Sequence, residues 1–162
     1  FMHADLNNRH IWIFWNNSLK VEQVQVGDQI FSVKVTCGLL SFLVSFVYGS
    51  CVSQQRQCLW NDISLFDSNN LPWFVAGDFN VVADPSERKG CGPFSRKYSL
   101  DFNKFIVGKG LMDIGFSGEN FMWCNNQKGG CCSWRRLDRC FVNMKVVSLL
   151  SGSKAVHLAR GI

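Results

Sequence analysis

The sequence predicts an α+β fold in which sheets pack face to face and helices lie outside them. Strand-like blocks outnumber helical ones, and the helical blocks fall between strands without a regular βαβ alternation. The 162 residues are 47% apolar and 14% aromatic but only 18% charged. That composition supplies a core for one domain and excludes a disordered chain.

The blocks follow in order along the chain. Residues 11–15 are β-branched and aromatic and close on Asn16-Asn17-Ser18, while Leu19, Val21, Val24 and Val26 alternate imperfectly with polar neighbours, so two strands are expected. Phe31, Val33 and Val35 alternate strictly with Ser32, Lys34 and Thr36, the pattern of a strand with one wet face. Residues 39–48 are apolar on both faces, which predicts a central strand ending at Tyr48-Gly49. Ser53 is a candidate N-cap for a helix carrying Leu59, Ile63 and Phe66 at i, i+4 and i+7, ended by residues 67–70. A brief strand, 73–76, runs into Gly77-Asp78-Phe79-Asn80. Residues 84–97 combine proline, glycine and charge and predict an exposed loop. A second helix starts near Ser99, carries Phe102, Phe105 and Ile106, and ends at Gly110. Strand-like blocks at 121–125 and 134–141 flank a hairpin loop, Asn-Asn-Gln-Lys-Gly-Gly.

The net charge of +5 suits an acidic partner such as nucleic acid, although the basic residues form no tract. The eight cysteines include no C-x-x-C pair and are expected to be reduced and mostly buried. His3, His10 and His157 lie far in sequence from the cysteines at 124–140, so no zinc site is expected. The longest apolar run, 39–47, is interrupted by Ser41 and Ser45 and is about half the length of a membrane span, so no transmembrane segment is predicted. Trp60, Trp73 and Trp123 are core residues by default. Because the chain opens at Phe1 and stops at Val-His-Leu-Ala-Arg-Gly-Ile, both ends are expected to be cut.

Four stretches put a polar group at or next to a strand end: Phe-Val-Tyr-Gly-Ser around Tyr48, Gly-Asp-Phe-Asn at 77–80, Phe-Met-Trp-Cys-Asn at 121–125 and Arg-Arg-Leu-Asp-Arg at 135–139. An acid and an amide at the mouth of a strand, Asp78 and Asn80, are either a turn or a reactive pair. Tyr48 is equally a strand-end aromatic with a wet hydroxyl. Asp138, between Arg136 and Arg139, reads by itself as half of a surface ion pair.

The combination and its order resemble the endonuclease/exonuclease/phosphatase superfamily, with its deoxyribonuclease I-like fold, and look most like the endonuclease domains of plant LINE-type non-LTR retrotransposons. The segment 11–35 precedes Val-Tyr-Gly, a helix bearing Arg56 and Leu59-Trp60 follows, and PWFVAGDFN leads to Glu87-Arg88-Lys89-Gly90. LMDIGFSGENFMWCN and RRLDR complete a likeness that runs from about residue 11 to 149. It implies a four-layer-type sandwich of two packed mixed β-sheets flanked by helices, truncated at both ends, with residues 1–162 forming a single partial domain. It also implies a Mg²⁺-dependent phosphodiesterase that nicks DNA to prime reverse transcription, in an intracellular, nuclear setting.

By the same resemblance, Asp78 matches an aspartate that polarises or orients the attacking water, and Asn80 an amide that hydrogen-bonds the scissile phosphate or that water. An extended Asp78-Phe79-Asn80 would set both polar groups on one face with Phe79 anchoring the other. Tyr48 matches a tyrosine that contacts the phosphate, and Asp138 an aspartate that orients the catalytic histidine. The family's first strand, with an asparagine and then a glutamate that ligates Mg²⁺, is expected upstream of Phe1, and its Ser-Asp-His segment beyond Ile162. Met122 stands where a threonine is usual, and His157 is in no Asp-His pair. The chain is therefore expected to be inactive by itself. A phosphomonoesterase acting on inositol phosphates or lipids, and a non-catalytic nucleic-acid-binding module, are the alternative readings.

Overall fold

The computed structural model describes residues 3–4, 10–68, 70–92, 94–127, 131–150, 152 and 154–158. In chain order the elements are β1 (His3–Ala4), β2 (Trp12–Ile13), β3 (Lys20–Gly27), β4 (Ile30–Cys37), β5 (Leu40–Tyr48), α1 (Ser53–Leu65), β6 (Trp73–Asp78) and a 3₁₀ turn (Pro85–Glu87). There follow β7 (Arg88–Gly90), α2 (Arg96–Gly108), β8 (Met112–Asp113), β9 (Phe116–Gly118), β10 (Trp123–Cys124), β11 (Ser133–Arg135), β12 (Asp138–Val142), α3 (Met144–Leu149) and β13 (Ala155–His157). This is the α+β class with packed sheets and few helices. No helix among the described residues is long and apolar enough to cross a membrane.

A mixed sheet of six strands, in the order β3-β4-β5-β6-β12-β8, forms the frame. All its neighbours are antiparallel except β5 and β6, which α1 joins as a crossover between parallel strands. Alternation assigns each face. Leu43, Val47, Trp73 and Val75 point to α1 and α2, where they pack with Leu59, Trp60, Ile63, Phe102 and Phe105. Phe31, Val33 and Val35 point the other way, onto Ile11 and Ile13 beside the small β1-β2 sheet, with half-buried Phe42, Val44 and Phe46 around them. The central strand expected at 39–48 is thus apolar on both faces because layers lie on both.

The wet face expected for β4 is absent at Ser32, which is fully buried. A relay of hydrogen bonds makes this tolerable. Trp73 Nε1 donates to Ser45 Oγ (2.9 Å), and Ser32 Oγ donates to Gln25 Oε1 (3.1 Å), so the 2.7 Å contact between the two serines is completed by the Ser45 hydroxyl donating. Gln25 Nε2 then donates to the Asp62 carbonyl on α1 (3.1 Å). Every buried polar atom of the chain Trp73-Ser45-Ser32-Gln25 has a partner.

Two further expectations are corrected and one is borne out. Ser53 is the first helical residue rather than the cap; Val52 takes the cap position, and Ser50 Oγ accepts from its backbone N–H (3.0 Å). The block at 134–141 splits into β11 and β12, which enter different sheets, with Arg136 and Leu137 between them, the Arg136 N–H donating to the Glu87 carbonyl and the Leu137 carbonyl accepting from Phe79. The hairpin expected between 125 and 134 does form, with β10 antiparallel to β11, although residues 128–130 of its loop lie outside the described residues.

The loop expected at 84–97 is not simply exposed. Asp84 caps the 3₁₀ turn in a reciprocal capping box with Glu87. The Glu87 carboxylate then turns inward, where its Oε1 accepts from Arg136 (2.9 Å) and Arg139 (2.8 Å) and its Oε2 accepts from the other Arg139 nitrogen and from the Ala83 N–H. Arg136 also donates to Asp113 Oδ2 (2.7 Å). Its guanidinium covers the Phe116 ring, and that of Arg139 covers Phe102. Burial alone would raise the Glu87 carboxyl's pKa. The Arg139 hydrogen bond and charge, the Ala83 N–H and the Arg136 charge together outweigh it and hold the group below its ordinary value.

Glu87→Gln leaves two buried cations short of a counter-ion. The expected loss is about 3–5 kcal/mol of unfolding free energy at pH 7, read by urea denaturation. Because the folded carboxyl titrates lower than the unfolded one, its stabilisation is complete above the unfolded pKa of about 4.3 and is lost as pH falls through the folded value. The variant should lack that part of the acid-side loss. A stability equal to wild type, or an unchanged acid limb, would count against the network.

Candidate active site

Register brings three residues into one row. β5 and β6 pair with Tyr48 opposite Asp78, and β6 and β12 pair with Asp138 opposite Asp78, so a phenol and two carboxylates sit side by side at one end of three neighbouring strands. Gly77 makes the close pairing possible. Its φ is +140°, and a Cβ there would lie 2.0 Å from the Val47 carbonyl oxygen.

Beyond Asp78 the chain is anchored before it turns. Phe79 is fully buried against Trp60, Phe102 and Phe141. Its N–H donates to the Leu137 carbonyl (3.1 Å), tying the exit of β6 to the entry of β12. Asn80 is not extended, contrary to expectation: its φ is +48°, a left-handed conformation that asparagine tolerates better than most residues. The reason is an Asx-type turn, in which the Asn80 N–H donates to Asp78 Oδ1 (2.7 Å). The side chain folds back as well, Nδ2 donating to Asp78 Oδ2 (3.2 Å) and to the Gly49 carbonyl (2.7 Å). One residue thus holds both oxygens of the carboxylate, and Phe79 still serves as the anchor.

Burial raises the Asp78 carboxyl above its ordinary value. The Asn80 N–H opposes the rise, the Asp138 charge adds to it, and the charge of Arg56 opposes it. Arg56 is itself buried, its Nη1 donating to the Ser50 carbonyl (2.6 Å), and burial presses its pKa down. The result is a rigid carboxylate poised for proton transfer or for orienting a water.

Asp138 does not form the ion pair that its neighbours suggested. Arg136 and Arg139 turn instead to Glu87 and Asp113, leaving Asp138 half-buried beside Asp78. Tyr48 is 41% exposed, with its ring stacked on His10 at 4.9 Å between centroids. Nothing in the sequence marked His10, whereas Arg56 recurs at helical spacing with Leu59, Trp60 and Ile63, a signal that could have placed it on the inward face. His157 sits on β13, stacked on Phe116 with Nδ1 2.8 Å from the Glu119 carbonyl oxygen. Met122 lies half-buried just before β10.

Two other expectations fail. Trp60 and Trp73 are buried, but Trp123 is 36% exposed under the Arg135 guanidinium, because its short strand belongs to the three-stranded sheet β10-β11-β7 rather than to the core. The cysteines are not mostly buried: Cys37, Cys51, Cys58, Cys91 and Cys131 are exposed, since they fall on turns, wet helix faces and the hairpin loop. All eight are free thiols.

The described residues do not fit a Mg²⁺ ion by themselves. Asp78 and Asp138 bring two carboxylates together, and among the described residues no three acidic, histidine or cysteine side chains converge to complete a shell. Two clefts flank the row. One, of about 300 Å³, opens beside Asn80 and is walled by Arg56, Arg88 and Arg135; the other, of about 420 Å³, lies between His10, Tyr48 and Gln55.

Comparison with solved structures identifies the architecture. The chain is similar to the endonuclease domain of TRAS1, a telomere-specific non-LTR retrotransposon, at a TM-score of 0.69 and 15% identity, over 85% of this chain and 62% of that one. The fold is deoxyribonuclease I-like. An AP endonuclease from Archaeoglobus fulgidus superposes at a TM-score of 0.52 and 13% identity, over 75% of this chain and 55% of that one. A β-hairpin deletion mutant of beta toxin from Staphylococcus aureus superposes at 0.51 and 12%, over 82% and 49%. The chain therefore spans less than two thirds of the length of these structures. No family model matches the sequence, and no curated protein matches it significantly.

The electrostatics of the row predict opposite responses in two variants. Asp138→Asn should lower the Asp78 pKa and Arg56→Met should raise it, read by carboxyl ¹³C shifts across a pH titration. Shifts in the same direction would mean that Asp78 does not feel these two groups through space.

Proposed function

We propose that this chain is the central part of a metal-dependent endonuclease domain of the non-LTR retrotransposon kind, which hydrolyses one phosphodiester of DNA to prime reverse transcription. The observation that carries the reading is the row Tyr48-Asp78-Asp138 in register on three adjacent strands, with Asn80 clamping Asp78. Phosphodiester hydrolysis requires a positioned acceptor for the proton of the attacking water and donors for the charge that develops on phosphate. Asp78 meets the first requirement by its raised pKa and fixed carboxylate. Tyr48, exposed at the edge of the row, offers a hydroxyl to a phosphate oxygen, and Asp138 presses on Asp78 and offers a hydrogen-bond acceptor to a third group.

The reading takes the active domain to be longer than these 162 residues. Segments beyond both ends would supply the rest of a Mg²⁺ shell and a histidine, and the partner would be nuclear DNA. Support comes from the two-carboxylate count and from the 62% span of the TRAS1 domain that the chain matches. By itself the chain supplies half of a catalytic unit, and such units lose nearly all activity when split.

Nicking of supercoiled plasmid in Mg²⁺ tests this. The 162-residue chain should not exceed background, whereas the chain extended by its genomic flanks should nick. In the extended form Asp78→Ala and Asn80→Ala should each cost about 10²- to 10⁴-fold, while Cys131→Ala, on an exposed loop, should change little. Nicking by the short chain that Asp78→Ala abolishes would overturn the half-site reading. An extended chain indifferent to Asp78→Ala would overturn the assignment of the row.

A further inference from the structure

The cleft of about 300 Å³ beside Asn80 has an unusual wall. Arg56, Arg88 and Arg135 line it, with Tyr98 and Phe94, and no carboxylate does. Among the described residues none of the three guanidiniums has a carboxylate partner, in contrast to Arg136 and Arg139 close by in sequence. Each is instead fixed along one edge by neutral oxygens or by a ring. Arg56 donates to the Ser50 carbonyl (2.6 Å), Arg88 to the Cys91 carbonyl (2.7 Å), and Arg135 stacks over Trp123 with its centre 5.4 Å from the ring. Arg56 is 6% exposed and makes no direct ion pair among the described residues; Asp78 reaches it only through space. Three fixed positive charges around one concavity repel each other, and the arrangement is relieved by an anion that enters it. The N-terminal turns of α1 and α2, neither carrying an acid, open onto the same space and add to the positive field.

We infer that this cleft is a subsite for a single nucleotide, its phosphate held by Arg88, Arg135 and Arg56 and its base laid on Tyr98. Size sets the limit of one: about 300 Å³ is the low end for a small-ligand pocket, too small for a base pair and its backbones. Arginine forks match phosphate oxygens, and the 42% exposed ring of Tyr98 offers a face to any base. Because Asn80 belongs both to this wall and to the Asp78 clamp, a nucleotide held here would lie next to the bond that the catalytic row addresses. The inference deepens the proposed function and rests on it for the strand that delivers the nucleotide. The same phosphate chemistry is carried by a nucleic-acid strand and by a free mononucleotide.

Binding without turnover separates the two proposals. Fluorescence anisotropy of a labelled single-stranded oligonucleotide in EDTA, on the 162-residue chain, should show Arg88→Gln and Arg135→Gln each weakening affinity about tenfold and flattening the salt dependence by about one counter-ion. Tyr98→Ala should weaken it about fivefold or more. Lys145→Gln, which removes the same charge from exposed α3 at the far end of β6, should bind as wild type. Displacement by unlabelled oligonucleotide but not by deoxyadenosine monophosphate identifies a strand as the source, and equal displacement by the monophosphate identifies free nucleotide; either supports the subsite. Affinities of the three cleft variants matching that of Lys145→Gln would overturn it, whatever the nicking assay shows.

Discussion

Glu87 accepting from two buried arginines is the interaction on which the geometry of the site depends. Arg136 and Arg139 bracket Leu137-Asp138, so the carboxylate that binds them also fixes where β12 begins. The backbone repeats the tie, since the Arg136 N–H donates to the Glu87 carbonyl (2.9 Å). From that start, antiparallel pairing carries Asp138 into line with Asp78, and the Phe79 N–H closes the corner on Leu137. The ion cluster lies inside the protein, where its role is alignment; an apolar cluster of equal volume could match it in stability but not in directing two forks at one carboxylate.

The result is a division of labour between parts of the chain far apart in sequence. Tyr48, Asp78 and Asp138 come from separate strands and touch the same space only because register is held on both sides of β6. The 3₁₀ turn and β7, inserted between β6 and α2, reach across to stabilise β12 and also deliver Arg88 to the cleft wall. One insertion thus serves both the alignment of the carboxylates and the positive concavity next to them.

Legibility in the sequence followed locality. Alternation at 31, 33 and 35 and the helical spacing of Leu59 and Ile63 report short-range patterns, and the structure bears them out. The three residues of the row and Asn80 were nominated by the order of motifs, since no local property of Tyr48 or Asp138 announces that they flank Asp78. The left-handed Asn80 escaped the reading of an extended tripeptide because its turn depends on a side chain folding back onto its neighbour. Ser32 read as wet because its partners lie on other strands, at 25 and 45. Arg136 and Arg139 gave no sign of Glu87, which stands 49 and 52 positions earlier. Trp123 and the exposed thiols show the limit of residue-type defaults where a small sheet has little core to offer.

The relay from Trp73 through Ser45, Ser32 and Gln25 to α1 has a consequence for how this sequence can drift. Apolar neighbours such as Val33, Val47 and Val75 can exchange with similar residues one at a time, each at a modest cost. The relay cannot, because each hydroxyl both gives and receives a hydrogen bond. Replacing Ser45 alone strands the indole N–H on one side and the Ser32 oxygen on the other, both without water. A lineage could lose the relay only from its indole end, Trp73 first and the serines after it, since that order never leaves a buried donor without an acceptor. Related chains should therefore divide into those that keep the whole relay and those that have lost it from Trp73 inward, with few that lack Ser45 alone.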